Sequence, residues 1–307
     1  MRRRSMSRRR RRRLTRTICI AVLLSVTSYA VVSSVTVPRS RSRSEAIQRR
    51  KAPSGKTGIT AVGKHVAPRS ANLFVVPSVA TYLASCRDDI TAAVYDDSTG
   101  YTSIYRPGVT EDTASIMKVD ILATLLAQIQ AEGSVLTTEE QELSEEMIEE
   151  SDNDAAQDLW DSEGGATAVT RFNAEAGLTQ TVPDAAGYWG LSTTTATDQV
   201  QLLKKVAFAN TLLTDASRSY ELGLMTHVDP SQAWGVSAGV APSVTVALKN
   251  GWLPLDTGGW QVNSIGYVDG DGRDYVIAVL TNGNATEADG ISTIEDLSGL
   301  IWQELAP

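Results

Sequence analysis

The chain has 307 residues, long enough for one large domain or two small ones with a sizeable core. Its net charge of −8 hides a split: the first 70 residues hold 19 of the 28 Lys and Arg with Glu45 as their only acid, and the remainder holds nine bases against 35 acids. That remainder is too acidic to bind nucleic acid, and two cysteines, Cys19 and Cys86, exclude a disulfide framework.

Taken in order, residues 1–37 join an arginine-rich start to an uncharged apolar run from Ile18 to Val37. That pattern predicts a secretory signal peptide or an N-terminal membrane anchor, and hence an extracellular or cell-envelope location. Membrane contact is expected only through this segment. Residues 38–72 are rich in Arg, Ser, Pro, Gly and Lys without periodicity, which predicts a basic disordered linker. The ordered domain is expected over 73–307. Cys86 within it reads as a small buried side chain.

Pro77 to Asp88 reads as a helix, and 90–95 with 101–105 as a hairpin about the turn 97–100. A strongly apolar helix opens near Ser115 and stops at Gly133. Thr137 and Glu140 predict a capping box for the next helix, whose apolar stripe is Leu143, Met147 and Ile148. Further helices are expected at 154–163, 166–176, 195–209 and 215–226. The pattern then changes to strands at 244–248, 261–268 and 275–281 and a last helix at 292–305. Hairpin, helical block, strands and helix, with no βαβ repeat, make the class α+β.

Three short motifs stand out. Ser115 and Lys118, three apart at a helix start, share a face. The apolar neighbours of Lys118 would lower its pKa and make it a base for the Ser115 hydroxyl. Ser151-Asp152-Asn153 stands where the acidic helix breaks, and Lys249-Asn250-Gly251-Trp252 follows the strand 244–248. Taken singly, each has a plain explanation: a helix start, an Asx turn or cap, and a strand-ending turn. Their order, and the fact that two of the domain's four lysines fall in them, argue for a shared site.

These residues resemble the S-x-x-K, S-D-N and K-T-G motifs of the penicillin-recognising serine enzymes, and Ala114 to Leu126 and Glu146 to Leu159 are similar to the corresponding helices of class A β-lactamases. The resemblance covers roughly residues 75–305. It implies an antiparallel β-sheet flanked by terminal helices with an inserted all-helical subdomain. It implies Ser115 as nucleophile, Lys118 as base, Ser151 as proton relay, and Lys249 as a source of positive potential. Asn153 would hold a substrate amide, and Asn250 would donate to a substrate carboxylate. Gly251 would leave room for substrate beside the strand, and the N–H groups of Ser115 and Trp252 would form an oxyanion hole. The substrate implied is a β-lactam or a peptidoglycan stem peptide, with no cofactor and no metal; a monomer is expected. A D-Ala-D-Ala carboxypeptidase and a non-catalytic penicillin-binding or peptidoglycan-binding module are the alternatives.

The sequence departs from the family in three respects: the third motif carries Asn250 in place of Thr or Ser, the gap between Ser115 and Ser151 is shorter than usual, and the deacylation glutamate is missing. The loop Thr181 to Gly190 carries Asp184 where class A β-lactamases have a water-activating glutamate, so slow deacylation is expected. Two other patterns are decoys. Gly235-Val-Ser237-Ala-Gly239 matches a nucleophile elbow but has no histidine downstream, and Asp269 to Asp274 reads as a hairpin turn between apolar strands. His227 is expected at a helix end, where the dipole favours it, and Asn284-Ala-Thr286 is a glycosylation sequon.

Overall fold

The computed structural model describes residues 72–87 and 89–306. The leader and, Asn72 apart, the linker lie outside them.

Seven strands and eight α-helices follow one another in the described residues: α1 (Pro77–Ser85), β1 (Asp89–Asp96), β2 (Tyr101–Tyr105), β3 (Glu111–Asp112), α2 (Met117–Glu132), α3 (Thr138–Glu149), α4 (Asn153–Glu163), α5 (Gly165–Ala176), β4 (Thr193–Thr194), α6 (Ala196–Ala207), α7 (Asp215–Met225), β5 (Thr245–Pro254), β6 (Trp260–Gly270), β7 (Arg273–Asn284) and α8 (Glu287–Glu304). A five-stranded sheet runs β2-β1-β7-β6-β5, and β3 pairs with β4 separately. All its pairings are antiparallel. The α+β class and the expected layout are what the structure shows.

β7 is buried along most of its length because the sheet is covered on both faces. Side chains alternate across a strand, so Val276, Ala278 and Leu280 join the core under α2 to α7 while Ile277 and Val279 pack with α1 and α8. α2 carries the first core; Met117, Val119, Ile121 and Leu122 are all fully buried. At its end Gly133 takes φ 64°, the left-handed cap that glycine adopts without steric cost. The Thr137–Glu140 capping box forms at the start of α3. The turn expected at 269–274 is the β6–β7 hairpin.

Three boundaries differ from expectation. α8 begins five residues earlier than 292, because Thr286 caps it by accepting from the Asp289 N–H. Gly290 hides this start from a helical pattern, and it is needed there, since a Cβ would meet Val262 at 2.5 Å. β5 does not stop at 248 but continues through Lys249, Asn250 and Gly251 to Pro254. Ser115 stands in a 3-10 turn, Ala114–Ile116, and the helix proper starts at Met117. Cys86 is half-buried, with its thiol directed to the Tyr82 carbonyl at 3.3 Å. Asn284 is fully buried and donates to Trp260 O and Thr281 Oγ1, which leaves the sequon no accessible amide.

Candidate active site

The turn bearing Ser115 is clamped from three sides. Gln261 and Asn263 of β6 donate their side-chain amides to the Asp112 carbonyl, and Asn263 also reaches Thr113 O at 3.1 Å. Thr113 N–H donates to Ser192 O at 2.8 Å, and its hydroxyl to Trp189 O at 3.4 Å. From β5, Gly251 packs on the turn so closely that a Cβ would stand 2.6 Å from Ser115 N and 2.8 Å from Ile116 N. These contacts hold Ala114 at φ 47°, a left-handed backbone that a residue with a Cβ adopts only under constraint.

Lys118, the first-turn residue of α2, is fully buried. Its Nζ lies 3.2 Å from Ser115 Oγ, 3.0 Å from Ser151 Oγ, 2.7 Å from Ser151 O and 2.8 Å from Asn153 Oδ1. An ammonium has three protons for these four neighbours. A neutral amine can instead accept from one of the two hydroxyls, that of Ser115 or that of Ser151. Burial lowers the Lys118 pKa to about 7, against the opposing pull of the Asp152 carboxylate. The Trp189 ring adds an aromatic face 4.9 Å from Nζ.

Ser151 joins the two lysines. Its Oγ also lies 2.9 Å from Lys249 Nζ, which in turn donates to Asn250 O at 3.1 Å. Burial, then the neighbouring Lys118, pushes the Lys249 pKa well below that of a free lysine. Ser151 holds φ 54°, immediately before α4, whose cap is Asp152 through the Ala155 N–H at 2.8 Å. The triplet is therefore a helix cap as well as part of the site.

Two expected substrate contacts are corrected. Adjacent strand residues point to opposite faces, so with Lys249 directed at Ser151, Asn250 is directed away. Its amide donates to Gln232 O at 2.7 Å and Trp234 O at 3.0 Å, and is not free to meet a substrate carboxylate. The space beside Gly251 is filled by the backbone of the Ser115 turn, so this glycine serves packing rather than substrate room. Asn153 and Trp252 do line the cleft with Ser115.

The cleft measures about 490 Å³ and is completed by residues without a sequence motif: Asp154 and Gln157 from α4, Tyr188 and Trp189 from the loop before β4. The adjacent aromatics in an otherwise small and polar loop are the one sequence signal that could have marked them. Asp184, the loop's sole carboxylate, does not line the cleft. Its Oδ1 accepts from the N–H groups of Ala186 and Tyr188, both at 3.0 Å, and so shapes the loop. The decoys resolve as expected. Ser237 donates to Ala233 O at 2.9 Å in a turn, and the His227 ring contacts Gly223 O at 2.7 Å at the end of α7.

An antiparallel sheet with an inserted helical block, and a serine flanked by two buried lysines at their junction, define the class of the penicillin-recognising serine enzymes. The sequence profile of the Beta-lactamase enzyme family matches residues 134–305, more than half of the chain, and the chain belongs to that family. The match begins after Ser115 and includes Ser151 and Lys249. The chain is 28% identical over 217 residues to "Putative lipoprotein LppW" of Mycobacterium bovis and of Mycobacterium tuberculosis, covering 67% of each chain. Among solved structures, the TLA-1 extended-spectrum β-lactamase has a TM-score of 0.66 at 19% identity, covering 75% of this chain and 97% of its own. PBP-A has a TM-score of 0.64 at 21% identity, covering 76% and 96%. At these identities the likeness is one of fold.

Proposed function

We propose that this protein is an exported serine hydrolase that forms an acyl-enzyme through Ser115 on β-lactams or D-Ala-D-Ala-type peptides and releases it slowly. The observation that carries this reading is the hydroxyl–amine pair Ser115–Lys118 at 3.2 Å, with burial holding the amine near pKa 7. Lys118 takes the Ser115 proton as Oγ attacks the carbonyl carbon. The N–H groups of Ser115 and Trp252 hold the developing oxyanion, a contribution of about 2.7–4 kcal/mol per donor. As the C–N bond breaks, Ser151 passes its proton to the leaving nitrogen and takes in its place the one that Lys118 gained from Ser115. Lys249 in its protonated form keeps the local potential positive, and Asn153 holds the acyl amide.

Slow release follows from what surrounds Lys118: an indole face stands over it, and Asp184 is bound into its own loop. The lipoprotein named among the relatives supports a cell-envelope location for this chain, with the N-terminal segment as signal or anchor. The domain acts as a monomer on a small β-lactam or a peptidoglycan stem peptide, without a cofactor. A D-Ala-D-Ala carboxypeptidase acting on peptidoglycan uses the same steps with faster hydrolysis.

The test is labelling by a fluorescent penicillin read by intact mass. One covalent adduct on the wild type, none on Ser115→Ala, and a lifetime of minutes or more are expected. No adduct on the wild type, or equal labelling of Ser115→Ala, would sink the assignment; rapid turnover of a chromogenic cephalosporin would remove the slow-release part.

A further inference from the structure

Asp154 is the only carboxylate or cationic side chain among the residues lining the cleft. It is exposed, and neither ion pair among the described residues involves it. Tyr188, from the loop that forms another part of the lining, is 66% exposed. Trp189 beside it turns its ring toward the Lys118 amine at 4.9 Å. A carboxylate and aromatic faces around one apolar cavity are the chemistry of an organic ammonium, through charge pairing and cation–π contact. The wider field has the same sign, since the chain beyond residue 70 carries 35 acids against nine bases. The Lys118 and Lys249 side chains are buried and engaged with Ser151.

We infer that the cleft selects acyl donors bearing a primary ammonium on the acyl arm, with Asp154 as counter-charge and Tyr188 and Trp189 as aromatic walls. Amino-substituted β-lactams and peptides with a free diamino-acid amine belong to this class. The inference rests on the Ser115 acyl-enzyme reading and adds a substrate preference to it. Asp154 also stands in the first turn of α4, where any acid suits the helix dipole. That role changes stability and leaves the choice between substrates alone.

Ampicillin and carbenicillin share the benzylpenicillin frame and differ from it by an α-ammonium and an α-carboxylate. Their second-order acylation rates are to be compared by intact mass on the wild type, Asp154→Asn and Asp154→Glu. The ampicillin-to-carbenicillin ratio is expected to fall about tenfold in Asp154→Asn, to be kept in Asp154→Glu, and to narrow in the wild type as salt is raised. A ratio equal in the wild type and Asp154→Asn overturns the inference while the acyl-enzyme reading stands. Failure of all the penicillins to label Ser115 overturns that reading and the inference with it.

Discussion

Lys118 and Asp120 lie two residues apart on α2, both fully buried, and the protein serves them in opposite ways. Lys118 has four oxygen neighbours within 3.2 Å. The Asp120 carboxylate has only the Asn173 side chain to oppose its burial, and the carboxylates of Glu163 on α4 and Glu221 on α7 have no hydrogen-bond partner among the described residues. Burial moves both kinds of group toward neutrality: Lys118 down to about 7, Asp120 up to about 7, and Glu163 and Glu221 well above the usual carboxylate range, with Asp120 adding repulsion to each. Neutral amine next to a hydroxyl is a base. Neutral acid inside a helical block is only a buried polar group, tolerable when protonated and costly when not. The lesson is that desolvation supplies the chemistry, and the neighbours decide whether it is used.

The sharpest way to break this comparison is Lys118→Ala. Acylation of Ser115 is expected to fall by about 10²–10⁴-fold, and in the wild type the rate should climb with pH through about 7 and level off above it, as the amine loses its proton. A pH-independent rate, or a fully active variant, would remove Lys118 as base.

The acid side gives a stability effect. A carboxyl whose pKa is higher folded than unfolded contributes stability that is complete below the unfolded value and lost as pH rises through the folded one. For Asp120 that window runs from about 4 to about 7. Denaturant unfolding should therefore show the Asp120 contribution falling by roughly 2–4 kcal/mol from pH 5 to pH 8, offset in part by Lys118, whose lowered pKa adds stability as pH rises above about 7. The combined variant Asp120→Asn, Glu163→Gln, Glu221→Gln should flatten the difference; an unchanged slope would place the titration elsewhere.

Asn250→Ala tests the corrected residue. Orphaning the Gln232 and Trp234 carbonyls should cost about 1–3 kcal/mol in stability, with acylation changed less than unfolding. A selective loss of acylation would restore its substrate role. The smallest effect expected is that of Trp189→Ala. Losing the indole should let water reach Lys118 and relieve part of the burial that lowers its pKa, displacing the acylation profile to higher pH, and should shorten the acyl-enzyme lifetime. Trp189→Phe should keep both properties; if it behaves as the alanine variant does, the ring face is not the cause.

Much of this was readable along the chain because it is local. The spacing of Ser115 and Lys118, the Thr137–Glu140 box, the Gly133 stop and the change from helical to alternating period each need only a few neighbours. The expected Asn250 and Gly251 contacts failed for the converse reason. They are implied by the family resemblance, which carries no strand register; β5 runs on to Pro254, and strand alternation turns Asn250 away from Lys249.

The amino-acid sequence by itself thus determined the α+β class, the helix limits that caps and glycines enforce, and the three motifs with their order. Only the tertiary structure decided that Ser151 Oγ touches both lysines, that Trp189 covers Lys118, and that Asp154 lines the cleft. The residues in each of those contacts come from separate elements, from 33 to 98 positions apart for the two lysines and Ser151. No local rule joins residues so distant. Burial by the surrounding elements does, and it is also what takes Lys118 and Lys249 away from the ordinary lysine pKa.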